Sequence, residues 1–135
     1  MKLTYEPVCD EKDYKFLYRL LAERNEIENI SHRKMPTYQE HVEHLQTIPV
    51  KQYVIYTEGE KKPIGYLSFS DKGEIGLHFI KEEDTDENKE EVLRSVLKDK
   101  GQKYFINIAP RNKSLQVAAE KCGFRLIQYT YENIS

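Results

Sequence analysis

Residues 107–124, Asn-Ile-Ala-Pro-Arg-Asn-Lys-Ser-Leu-Gln-Val-Ala-Ala-Glu-Lys-Cys-Gly-Phe, constrain the fold of this chain more than any other stretch. The segment 104–109 that leads into it is rich in aromatic and β-branched residues, which suits a buried strand. Pro110 ends that strand because it has no N–H to give to a ladder. Asn112 then suits a helix N-cap, since its side chain accepts from the first free amides. Leu115, Ala118, Ala119 and Cys122 follow at i, i+3, i+4 and i+7, the apolar stripe of a short helix. Gly123 supplies the left-handed residue that closes a helix, and Phe124 opens a further strand reaching to about Tyr131. The unit is strand, capped helix, glycine stop, strand.

Pro110, Asn112, Lys121, Gly123 and Phe124 together resemble the C-terminal motif of the Gcn5-related N-acetyltransferase (GNAT) superfamily. In that family the Asn caps the helix beside the coenzyme A tail, and Gly-Phe carries the chain into the sheet.

The rest of the chain has an element order compatible with the resemblance. Residues 2–8 read as a first strand. Asp10 caps a helix over residues 11–23, with Tyr14, Leu17, Leu20 and Leu21 on one face. Residues 24–36 are polar and irregular. Thr37-x-x-Glu40 is a capping box, so a second helix runs over 38–46 with Tyr38, Val42 and Leu45 inward. Residues 52–57 and 64–70 form a hairpin, and Asp71-Lys72-Gly73 turns into a fourth strand over 74–80. The polar, acidic segment 81–91 precedes a helix carrying Val92, Leu93, Val96 and Leu97. The order predicts an α+β domain over 1–135, a mainly antiparallel mixed sheet flanked by helices. The resemblance makes it the acyl-CoA N-acyltransferase (GNAT-like) fold. Relatives close their sheet with a C-terminal hairpin, whereas residues 125–135 suffice for one strand. Either the last strand is absent, or a second subunit of a homodimer completes the sheet edge.

Composition narrows the function. The chain has 135 residues, one third of them charged, yet a formal net charge of only −2, so it lacks a basic footprint for nucleic acid. No apolar run approaches the length of a membrane span, and the first residues lack the shape of a signal peptide. The two cysteines, Cys9 and Cys122, have no metal-ligand spacing and fit a reduced, cytoplasmic protein.

The resemblance implies acetyl transfer from acetyl-CoA to a small amine or amino sugar. Such a reaction needs amides and positive charge for the pyrophosphate, a base for the amine and an acid for the thiolate. The family meets the first need with an Arg/Gln-x-x-Gly-x-Gly/Ala loop after the fourth strand. Here the corresponding residues, 84–90, contain no glycine and are flanked by Glu82, Glu83, Asp84, Asp86, Glu87, Glu90 and Glu91. Carboxylates there oppose a polyanion, by about 1 kcal/mol per close charge pair even in water. The cofactor contacts expected by position are Phe79, Ile80, Lys81, Asn88, Lys89 and Asn112, with backbone amides near Phe79 and Ile80 on the pantetheine. Asp84-x-Asp86-x-Asn88 opens like a calcium loop, but Lys89 and Ser95 stand where its Gly and bidentate Glu belong, so no metal is expected.

Glu74 stands where histone-acetylating relatives keep a general base, and His78, four residues on, shares its face. Many relatives place a Tyr acid where this chain has Ala119; Tyr129 and Tyr131 are the alternatives. Arg24-Asn25 and Thr37-x-x-Glu40-His41 resemble acetyltransferases acting on nucleotide-linked amino sugars, which makes Arg24 and His41 substrate contacts. His41 and His44 share a helix face and read as a solvated edge rather than a ligand pair. The rival expectation is a GNAT-shaped binding or assembly module that has lost catalysis and does not use coenzyme A; the acidic segment and Ala119 favour it.

Overall fold

The computed structural model describes residues 2–24, 34–99 and 101–134. Its centre is a five-stranded sheet in the order β1 (Leu3–Pro7), β2 (Val50–Thr57), β3 (Pro63–Ser70), β4 (Glu74–Phe79), β5 (Phe105–Ile106). The first four strands pair antiparallel; β4 and β5 pair parallel. The helices are α1 (Glu11–Glu23), α2 (Tyr38–Thr47), α3 (Asp86–Val96) and α4 (Lys113–Lys121). This is the α+β architecture expected.

Each helix starts where a side chain can accept from its free amides. Asp10 accepts from the Asp13 amide at 3.1 Å, Thr37 from Glu40 at 3.1 Å, and Asn112 from Leu115 at 3.3 Å. Glu40 returns the favour by accepting from the Thr37 amide at 2.8 Å, which completes the capping box. Leu17 and Leu20 of α1, Leu45 of α2 and Leu115, Ala118 and Ala119 of α4 are buried in one core with Val54, Ile55, Ile64, Val92 and Leu93. Burying a leucine, isoleucine or valine side chain fully contributes about 1.5–3 kcal/mol.

Three expectations are corrected. First, α3 begins at Asp86, well before Val92, because Thr85 caps it by accepting from the Asn88 amide at 3.1 Å. Asp86 and Glu87 then sit in its first turn, where the helix dipole favours negative charge. Much of the acidic segment is therefore helix. Second, β5 is only Phe105–Ile106 and leaves the ladder before Ala109. Third, residues 125–134 form no strand. Leu126, Ile127, Tyr129 and Tyr131 are exposed, so strand propensity without a paired neighbour has not made a strand. The expected irregular segment 24–36, including Asn25, lies mostly outside the described residues.

Candidate active site

β4 and β5 touch only at Glu74–Phe105 and Ile75–Ile106, then part. Successive residues of a strand point to opposite faces. Ile75, Leu77 and Phe79 are buried on one face; Glu74, Gly76 and His78 occupy the other and are more accessible. Both sets line a single cavity of about 890 Å³. The cavity therefore passes through the sheet where β4 and β5 diverge. Ile106, Asn107, Ile108 and Ala109 wall its far side, and Asp84, Lys89, Asn112 and Leu115 line the part near α3 and α4. Tyr66, Ser68 and Ser70 of β3 line it too, with Arg24, His41 and His44 from the α1–α2 side. The volume is that of a small-molecule or cofactor site.

The ladder fixes which backbone groups face the opening. Ile80 donates its N–H to the Ile64 carbonyl at 2.8 Å. In an antiparallel ladder the direction alternates, so Leu77 and Phe79 turn their N–H groups away from β3, toward the departed β5. Of the two amides expected to face a pantetheine, that of Phe79 points to the opening and that of Ile80 is used by β3. Leu77, which the sequence does not single out, turns its amide to the opening as Phe79 does. Parity put 77 and 79 on one edge, but nothing in the sequence said which edge was open.

Glu74 sits at the start of β4, its amide donating to Ser70 Oγ at 3.0 Å and its carboxylate accepting from Asn107 Nδ2 at 3.1 Å. Gly76 faces Ser68 of β3 so closely that a Cβ there would come within 2.5 Å of Ser68 Oγ, so a larger residue would require the hydroxyl to turn away. His78 is half-buried beside it. Glu74, Gly76 and His78 thus share one accessible face of the divergence.

At the other end, Asn112 caps α4, as expected, and also lines the cavity. Lys89 is buried, its ammonium 2.9 Å from Asp84 Oδ1 and bonded to Ser114 Oγ, which donates to Asp86 Oδ1 at 3.0 Å. Asn88 does not line the cavity; it is buried and donates to the Glu83 carbonyl at 2.9 Å, holding the turn before α3. Lys81 is exposed and outside the cavity. Nor are the carboxylates all bare, as the sequence suggested. Beyond Asp84 and Asp86, Glu90 pairs with Arg94 at 3.2 Å and Glu91 accepts from the Leu3 amide at 2.7 Å.

Arg24 and His41 both line the cavity, Arg24 as the C-cap of α1. His41 is not on a solvated edge: it is 8% exposed, with its ring 5.5 Å from that of Tyr18. Burial, with His44 and Arg24 nearby, pushes its pKa below the usual histidine value. His44 is exposed. Ala119 is packed in the core, and Tyr129 and Tyr131 are exposed and line no part of the cavity.

No family model matches the chain, and neither does any curated protein. Solved structures do. A dodecameric spermidine N-acetyltransferase from Vibrio cholerae in an intermediate state superposes with TM-score 0.69 at 15% identity, over 98% of this chain and 84% of that one. The Vibrio cholerae spermidine N-acetyltransferase in complex with CoA and spermine gives TM-score 0.70 at 15% identity, over 97% of this chain and 88% of that one. The architecture and the parted β4 and β5 define an acyl-CoA N-acyltransferase-like fold. The chain has the fold of the Gcn5-related N-acetyltransferase superfamily.

Proposed function

We propose that the protein is an N-acetyltransferase that uses acetyl-CoA and a small amine acceptor. The observation that carries this reading is the cavity through the sheet, with Glu74 and His78 on one face and Leu77, Phe79, Lys89 and Asn112 toward the other. Acetyl-CoA enters from the α3–α4 side, its pantetheine along the Leu77 and Phe79 amides, and the amine comes from the Arg24–His41 side. The amine nitrogen attacks the thioester carbonyl, and its proton passes to Glu74 through water. Collapse of the tetrahedral intermediate breaks the C–S bond. The thiolate leaves and takes a proton from solvent. Spermine and CoA in the superposed Vibrio cholerae enzyme support a thioester donor and an amine acceptor.

Amine-dependent release of free thiol from acetyl-CoA tests the reading, across spermidine, simple alkylamines and amino sugars. Thiol release that rises with one amine class and saturates is the expected result. If no amine gives release and acetyl-CoA produces no thermal stabilisation, the chain is a binding module instead. Saturating ligand at a hundred times its Kd stabilises a fold by about 2.7 kcal/mol, so binding is hard to miss.

We also infer a homodimer in which the exposed segment 125–131 of one copy pairs with the free edge of β5 in the other. The dodecameric assembly of the Vibrio cholerae enzyme supports multimer formation by this fold.

A further inference from the structure

Lys89 carries a full charge on a side chain only 7% exposed, at the α3–α4 end of the cavity. Taking an ammonium out of water is costly unless charged and hydrogen-bonding partners replace the water. Those partners come from two separate elements. Asp84, just before α3, gives the ion pair at 2.9 Å, and Ser114, in the first turn of α4, accepts a hydrogen bond. Ser114 in turn donates to Asp86, the first residue of α3. The chain Asp84–Lys89–Ser114–Asp86 therefore joins α3 to α4 across this end of the cavity. Asn88 fixes the turn that presents Asp84 by donating to the Glu83 carbonyl.

We propose that the Asp84–Lys89 ion pair is an internal lock on the phosphate-receiving end of the cavity, with the Asp84 carboxylate occupying Lys89 until a phosphate group of the donor displaces it. The inference deepens the acetyl-CoA reading and rests on it for the identity of the phosphate carrier. Lys89 is a buried cation that lines the cavity and whose ionic partner sits on a short turn, not in a helix or strand. A phosphate oxygen offers Lys89 and Ser114 the same acceptor chemistry as a carboxylate, with more charge. Because Asp84 is tethered beside Lys89, the ligand meets a receptor that is free for only a fraction of the time. Its apparent affinity is reduced by that fraction. The acidic segment thus weakens phosphate binding by occupying the receptor, more than by long-range repulsion.

Calorimetric titration of the whole chain with inorganic pyrophosphate tests the lock. Asp84→Asn keeps an oxygen that accepts from Lys89 but removes the competing charge. It is expected to bind pyrophosphate about tenfold tighter or more than wild type. Lys89→Gln is expected to abolish saturable binding, and adding Asp84→Asn to it should restore nothing. Unchanged or weaker binding in Asp84→Asn, with wild-type thermal unfolding, overturns the proposal. Should that variant unfold, the Lys89 ammonium NMR signal of the wild type decides: pyrophosphate should shift it, and an unmoved signal at saturation overturns the lock. Amine-dependent turnover in a protein whose Lys89 ignores pyrophosphate removes the lock alone. Pyrophosphate exchange at Lys89 in a protein that acetylates nothing leaves the lock standing and removes the acetyltransfer reading.

Discussion

Asn107 of the chain leaving β5 donates to the Glu74 carboxylate of β4 at 3.1 Å, bridging the two strands at the point where they part. A carboxylate at a strand start would otherwise sample several rotamers. Here it is tethered beside the opening, with its backbone amide also held by Ser70 Oγ. A base must be in reach of its proton before its pKa matters, and this tether supplies the placement.

Glu74→Gln should therefore lower turnover by roughly 10²-fold while leaving folding intact, since Glu74 is exposed and Gln can still accept from Asn107. His78→Ala, assayed in parallel, should cost less. Steady-state rates with a saturating amine check this. Full activity in Glu74→Gln, with loss in His78→Ala, would transfer the base role to the histidine.

The divergence also depends on the turn before β4. Gly73 has φ +83°, and a Cβ there would lie 2.3 Å from the Lys103 carbonyl oxygen. Its own carbonyl accepts from Phe105 N–H at 2.9 Å, which starts the parallel pairing. Gly73→Ala should destabilise by more than about 1 kcal/mol, because both the conformation and the space are wrong for a side chain. Denaturant unfolding measures it. A neutral result would mean that the 73–75 and 103–106 segments can shift apart without cost.

Much of this was legible in the sequence because it is local. Caps, turns and periodicity put α1, α2 and α4 and the three central strands where they are found. What escaped was set by partners distant in sequence. Thr85 starts α3 early, but its signal was submerged in a run of polar residues. By spacing His41 is one of two histidines on a helix face; in the fold it is buried, with Tyr18 of α1 packed beside it. Ile80 and Leu77 were indistinguishable until the β3 register showed which amide was already used. Lys89 reads as one charge among many, and one of the partners that meet its buried ammonium, Ser114, is remote in the chain.

His41 gives a pH test. Its folded-state pKa is pushed below the ordinary value of about 6.5, mainly by burial. The unfolded chain then binds a proton at this site more readily than the folded one, so stability falls as pH drops. The contribution is fully present above about pH 6.5 and is lost progressively toward the lower folded value. The difference in unfolding free energy between wild type and His41→Gln should shift against the wild type over that window. A constant difference from pH 7.5 down to about pH 5 would show that His41 titrates as it does in the unfolded chain.

The segment 125–131 makes the last prediction. Ile127, Tyr129 and Tyr131 stand at alternate positions, one apolar face of a strand, while Gln128 and Thr130 fall on the other. Ile127 is 64% exposed and Tyr131 87% exposed, so that face has no cover. β5 is the last strand in the sheet order among the described residues, which leaves an edge open to pairing. Adding a strand there satisfies ladder groups at about 1 kcal/mol per hydrogen bond and removes apolar surface from water at about 25 cal/mol per Å². It also braces Ile106–Ala109, the wall of the cavity that the Ile75–Ile106 pairing and the Asn107–Glu74 hydrogen bond tie to β4. Sedimentation equilibrium should show a dimer that Ile127→Asp with Tyr129→Asp converts to monomer, with a loss of acetyl-CoA binding as the wall loosens. A wild type that stays monomeric while the amides of 125–131 are protected from exchange would mean that each chain pairs its own segment. A dimer untouched by the two substitutions would place the interface elsewhere.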